Sequence, residues 1–216
     1  MRLLFQTLFV VFWASAISAQ VDETKGHATP IPDGIWQKML GVSWHDDLPC
    51  PPRHDLTLLH VPFRNFDGAR EVGQLIVDAD LADEVLDIFS DLMLADFRIQ
   101  SMKLVSEFGG DDTNSMDANN TSAFNCRRVA GTSRMSNHAF GRAMDINPVQ
   151  NPFVTKRKTS PRAGIDYDDP QERTKDVIGI VLRNGPVVMT FKKHGWDWGG
   201  NWLSLKDYQH FSKDGG

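Results

Sequence analysis

Cysteine is scarce in this chain, and the scarcity narrows its chemistry. Only Cys50 and Cys126 carry thiols among 216 residues. No Cys-x-x-Cys spacing accompanies them, which excludes a thiolate-rich zinc knuckle. In an oxidising compartment the two can pair, and otherwise they are two buried thiols. A membrane-length apolar run is also missing. The stretch from Leu3 to Trp13 falls short of the roughly 20 residues a transmembrane helix needs. Excess positive charge is absent, the formal net charge being -5, so nothing supports nucleic-acid binding. No His-Glu-x-x-His segment is present, which removes the helix of the common zinc proteases. The polar stretch from Gly109 to Asn120 is acidic but lacks the glycine and terminal glutamate of a calcium-binding EF-hand loop.

What is there begins with an export signal. Arg2, the apolar run and the small residues Ala14 to Ala19 predict a secretory signal peptide over 1–19, cleaved after Ala16 or Ala19. With no cysteine near the cleavage site, lipid attachment is not expected. The product is expected to be exported, either periplasmic or secreted, with no stable membrane span after cleavage. About 197 residues then remain, the size of one ordinary domain. Hydrophobic residues at 41% and charged residues at 24% suit a globular chain.

Residues 20–55 hold Pro30, Pro32, Pro49, Pro51 and Pro52 and read as a Pro-rich N-terminal arm, with the domain proper over 56–216. Leu56 to Phe63 and Gly73 to Val77 read as strands of a hairpin turning at Asn65-Phe66-Asp67-Gly68. Leu81, Val85, Ile88, Phe89, Leu92 and Met93 recur at helical spacing and predict a helix with a buried face. A strand is expected around Ile99 to Val105, and residues 109–120 read as a loop. Residues 151–169, with Lys156-Arg157-Lys158, read as an exposed excursion whose charges face water or attract an anionic polymer. Asn184-Gly185-Pro186 opens a helix over Val187 to Lys193 that Gly195 ends. Trp196, Trp198 and Trp202, set among glycines, suit a core and a pocket equally. His27, His45, His54 and His60 read as surface or packing residues.

Two segments carry metal chemistry. Ser136-Asn137-His138-Ala139-Phe140-Gly141-Arg142-Ala143-Met144-Asp145 supplies a histidine and a carboxylate, and Asp207-Tyr208-Gln209-His210 supplies another of each. Catalytic zinc sites use three ligands from His and Asp/Glu and leave a position for water, with a nearby base. The candidate ligands are His138, Asp145 and His210, with Asp207 as base. Arg142 to Asn147 reads as a strand placing Ala143, Asp145 and Asn147 on one face and Arg142, Met144 and Ile146 on the other. Gly141 is the expected turn between the His138 and Asp145 segments, and Asp207 and His210 share one side of a helical turn or tight loop.

Ser-x-His-x-x-Gly-x-Ala-x-Asp followed downstream by Asp-x-x-His resembles the zinc D-alanyl-D-alanine carboxypeptidases and L-alanyl-D-glutamate peptidases that cleave peptidoglycan. The resemblance extends from Leu56 to Phe211 and includes Thr121 to Arg127, Asp145-Ile146-Asn147-Pro148 and Gly195 to Trp202. It implies an α+β fold, a small mainly antiparallel sheet with helices packed at one side and a zinc cleft across it. It also implies Zn2+ on His138, Asp145 and His210, Asp207 as general base, and Arg127 as the arginine that polarises the scissile carbonyl. The spacing before Arg127 departs from the shorter Ser-x-Tyr-Arg form, and Asp207 stands where many relatives carry Glu. The implied substrates are peptidoglycan stem peptides, with D-alanyl-D-alanine carboxypeptidase activity preferred over an L-alanyl-D-glutamate or other wall endopeptidase. No wall-binding repeat accompanies the motifs. A different class, a zinc-bearing binding module like the Hedgehog signalling domain, is the alternative, and retention of Asp207 weighs against it.

Overall fold

The computed structural model describes residues 24–215; the expected signal peptide lies outside them. Its architecture is mixed α and β, with small, mainly antiparallel sheets. Strands β1 (His27–Thr29), β2 (Leu56–Arg64) and β3 (Arg70–Asp78) form the first sheet in that order, all antiparallel. The β2–β3 hairpin closes through Asn65, whose side chain accepts from the Ala69 N–H at 2.9 Å, with Gly68 at φ +86°.

Alternation along β2 and β3 sorts their side chains onto two faces. Leu59, Val61, Leu75 and Val77 meet Val85, Ile88, Phe89 and Leu92 of α2 (Ala82–Leu94). On the opposite face, Leu56, Leu58 and Ile76 pack with Ile31, Met39, Phe124 and Cys126. Each such buried large side chain stabilises the domain by about 2–5 kcal/mol relative to alanine.

That second cluster takes in part of the Pro-rich N-terminal arm. From residue 24 onward the arm is part of the fold: β1 pairs with β2, and α1 (Asp33–Met39) begins after Pro32 and buries Met39 completely. A disulfide joins Cys50 to Cys126, with 5.8 Å between Cα atoms. Helix α2 packs on one face of this sheet, and α1 contributes Met39 to the cluster on the other.

The strand expected at Ile99 to Val105 shrinks to β4 (Ser101–Met102), and the supposed loop after it holds α3 (Asp112–Asp117). Asp111 caps α3, its carboxylate accepting from the N–H groups of Thr113 and Asn114. β5 (Asn120–Thr121) pairs with β4 in parallel.

Two small sheets carry the candidate residues Asp145, Asp207 and His210. β6 (Ala143–Asp145) and β9 (Asp197–Trp198) flank β11 (His210–Ser212). β7 (Phe153–Val154) lies between β8 (Thr159–Ser160) and β10 (Lys206–Asp207). The helix expected near Val187 is α4 (Pro186–Lys193), with proline at its start, and Phe191 from it stacks on Phe211 at 4.0 Å. Strand β6 stops earlier than expected because Asn147 adopts φ +44°. Its side chain leaves the Asp145 face to accept from the Gln100 N–H and to donate to the Arg98 and Gly179 carbonyls.

Candidate metal centre

Antiparallel register brings the second motif onto the first. His210 on β11 stands directly opposite Asp145 on β6, so two residues far apart in sequence become cross-strand neighbours. Along β11, alternation sends Phe211 into the core and His210 into the cleft. His138 sits in a short 3-10 turn, Asn137–Phe140, whose His138 N–H donates to Ser136 Oγ and which ends at Gly141 with φ +67°. A Cβ on Gly141 would lie 2.4 Å from the Asp78 nitrogen, so this close crossing of the β3 end requires glycine.

Residues 122–125 tie the two halves together. Ser122 and Asp145 exchange backbone hydrogen bonds, and Asn125 N–H donates to the His138 carbonyl. The Ala123 carbonyl lies 2.6 Å from His138 Nδ1. Since a carbonyl can only accept, Nδ1 carries the proton and the Nε2 lone pair is left facing the cleft.

The donor atoms then form a compact triangle. His138 Nε2 lies 3.2 Å from His210 Nδ1 and 3.3 Å from Asp145 Oδ2, while His210 Nδ1 lies 3.2 Å from Asp145 Oδ1. Ligands about 2.0–2.1 Å from a tetrahedral ion stand about 3.3–3.4 Å from one another. Two neutral imidazoles and one carboxylate at these separations fit a small divalent cation. Among the described residues this is the one His/Cys/Asp/Glu group of three or more that can hold a metal ion.

Electrostatics in the cluster reflect forced proximity. Burial alone would lower the His138 pKa, but the Asp145 carboxylate outweighs it and the net direction is upward. Burial alone would raise Asp145, yet His138 and His210 hold it well below the usual carboxylate range. In the absence of a cation, the Asp145 carboxylate favours a proton on His138, and a bound cation would take its place.

Asp207, on β10, lines the same cleft without joining the triangle. Burial pushes its pKa up to about 7, with Asp145 adding to the rise while His210 and Arg127 oppose it. Its Oδ1 is shut off from solvent and, among the described residues, has no hydrogen-bond partner. The link to His210 is a two-residue loop between strands rather than a helical turn. Gly199 is pressed against it: a Cβ there would sit 2.6 Å from the Asp207 carbonyl oxygen and 2.9 Å from its Cβ.

Arg127 reaches the same cleft of about 530 Å³, and its Nε is ion-paired with Asp112 Oδ2. Asp112 also accepts from Asn125 Nδ2 at 2.7 Å. This holder lies on α3, in the stretch read from sequence as a loop, and the sequence reading missed it. The Ala123 carbonyl was missed as well, since backbone groups leave no trace in residue identity. The tryptophans divide: Trp196 and Trp198 are core, while Trp202 lines the cleft with its ring 5.5 Å from the His210 ring. His27 and His60 stack on each other across β1 and β2 and take no part in the site.

Residues 130–213 match the family model described as D-alanyl-D-alanine carboxypeptidase. This is the family to which the two motifs pointed. The match contains His138, Asp145, Asp207 and His210 but begins three residues after Arg127, and it is narrower than the Leu56–Phe211 span of the resemblance. No curated protein and no solved structure matches the chain. The carboxypeptidase match and the donor geometry together support a metallopeptidase.

Proposed function

We propose that this protein is an exported zinc peptidase that hydrolyses peptidoglycan stem peptides, first as a D-alanyl-D-alanine carboxypeptidase and second as an L-alanyl-D-glutamate or other wall endopeptidase. The observation that carries the reading is the His138–Asp145–His210 triangle with Asp207 beside it, inside the carboxypeptidase match. Zinc is favoured over harder ions because two of three donors are imidazole nitrogens. The Cys50–Cys126 disulfide favours an oxidising compartment, in keeping with the expected signal peptide. Among the described residues no helix is long and apolar enough to cross a membrane.

In the mechanism, His138, Asp145 and His210 hold the cation. Zinc bound there would supply Lewis acidity, able to bring the pKa of water toward about 7 and to polarise a carbonyl. Asp207 accepts the proton of the attacking water and delivers it to the departing amine. Burial draws the pKa of this carboxylate upward and a bound cation would draw it back, which suits a group that must both take and return a proton. Arg127 presents its guanidinium to the developing oxyanion, and Asp112 keeps that side chain from swinging into solvent. A binding module needs no buried base in its cleft, so Asp207 favours the enzyme.

The test is to incubate purified protein with muropeptides, with and without chelator, and to weigh the products. Loss of one alanine, blocked by chelator, identifies the carboxypeptidase, and a cut within the stem identifies the endopeptidase. Absence of any product sinks the peptidase reading.

A further inference from the structure

The ionic groups lining the cleft leave two cations unused. Asp112 is occupied by Arg127, Asp145 lies between two histidines, and Asp207 stands half-buried beside them. Arg134 and Lys158 line the same cleft, and neither side chain has an acidic partner among the described residues. Of the run Lys156-Arg157-Lys158, only Lys158 lines it.

Both cations stand at the ends of tightly bonded turns. Val129 N–H donates to the Arg134 carbonyl at 2.8 Å, Thr132 Oγ1 donates to the Val129 carbonyl, and Arg134 N–H returns a bond to Thr132 Oγ1. Likewise Thr155 N–H donates to the Lys158 carbonyl at 2.8 Å, and Lys158 N–H donates back to Thr155 Oγ1 at 3.0 Å. The second turn joins β7 to β8, and β7 pairs Phe153 with Asp207, which couples the Lys158 turn to the strand carrying the base. Phe153, Trp202 and Leu205 give the cleft apolar wall. An unpaired guanidinium and an unpaired ammonium beside such wall favour a carboxylate attached to a small apolar residue.

We propose that Arg134 and Lys158, both exposed at the wall of this cleft, are the side chains that hold the substrate carboxylate lying close to the scissile bond. The inference rests on the peptidase reading and sharpens it: these two residues select the substrate, whereas Asp207 and the metal cluster act on the bond. The carboxylate has two chemical sources, the chain terminus or an acidic residue within the stem.

Zinc-loaded wild type, Arg134→Ala, Lys158→Ala and the double variant are compared on one stem peptide ending in D-alanine, made as free acid, as terminal amide, and with its internal carboxylate amidated. Calorimetric affinity of the metal-free proteins for each peptide supplies a second readout. Wild type is expected to prefer one free carboxylate by about 10- to 100-fold in kcat/KM, mainly through KM. That preference collapses toward unity in the double variant, with Arg134→Lys restoring part of it and zinc content unaltered. Loss of selectivity for the terminal acid assigns the terminus, and loss for the internal one assigns the stem acid. Turnover and affinity in the double variant that keep the wild-type preference overturn the inference while leaving the peptidase intact. Failure of wild type to cleave any of the three peptides sinks the peptidase reading itself.

Discussion

Asp145 and His210 face each other across the β6–β11 pair, with Oδ1 and Nδ1 3.2 Å apart. Their convergence depends on strand register rather than on loop conformation. A slip of one residue in β11 would turn His210 into the core and Phe211 into the cleft. Phe211 is held against such a slip by Phe191 and Trp198, so the hydrophobic core fixes the register of the metal cluster.

Gly199→Ala tests how closely Asp207, the proposed base, must be held. The added methyl collides with Asp207 backbone and side chain, so β10 must shift by some tenths of an ångström. Turnover is expected to fall about 10- to 100-fold, as misplacement of a reacting group does, while bound zinc stays stoichiometric. Zinc analysis beside steady-state kinetics checks this, and an unchanged kcat would contradict it.

The raised pKa of Asp207 has a definite sign in stability. Its folded value, about 7, exceeds the ordinary carboxylate value of 3.8, so the folded state holds the proton more tightly. No stability is lost to this group below pH 3.8, and the loss grows as pH rises through 7. In metal-free protein, Asp207→Asn is therefore expected to raise Tm at pH 8 by several degrees and to have little effect at pH 3.5. Calorimetry at the two pH values checks it, and equal shifts at both would contradict the assignment. A bound cation favours the charged carboxylate, so the acid limb of activity in the zinc form falls below pH 7.

The disulfide closes a loop with a sequence separation of 76 and anchors Cys126 next to Arg127. Replacing both cysteines with serine is expected to cost about 2–5 kcal/mol of stability, read as a lower denaturation midpoint, and to reduce kcat through a looser Arg127. Wild-type stability in that variant would contradict the anchoring role.

Long periodic elements and the motif residues were legible in the sequence. The hairpin, α2 and α4 follow their apolar periods and turn residues, and the donor residues follow their motif spacing. Short polar elements were not. Helix α3 has no apolar stripe, and its main signal was Asp111 capping Thr113 and Asn114. The segment before Arg53 hid its role because, among the described residues, its fully buried hydrophobic side chains are Ile31 and Met39, at either end of a short stretch among prolines. Strand β6 ends before Asn147, whose residue type tolerates a left-handed backbone, a signal that the strand alternation masked. Trp196 and Trp198 differ from Trp202 only through tertiary packing, which composition does not carry.

The most direct measurement is zinc stoichiometry with muropeptide turnover in wild type, His138→Ala and Asp207→Ala. The expected pattern is one zinc per chain and active wild type, zinc lost together with activity in His138→Ala, and zinc retained with turnover lost in Asp207→Ala. Equal loss of zinc from both variants, or wild-type cleavage that survives complete removal of metal, would contradict a cation held by His138, Asp145 and His210 with Asp207 as its separate base.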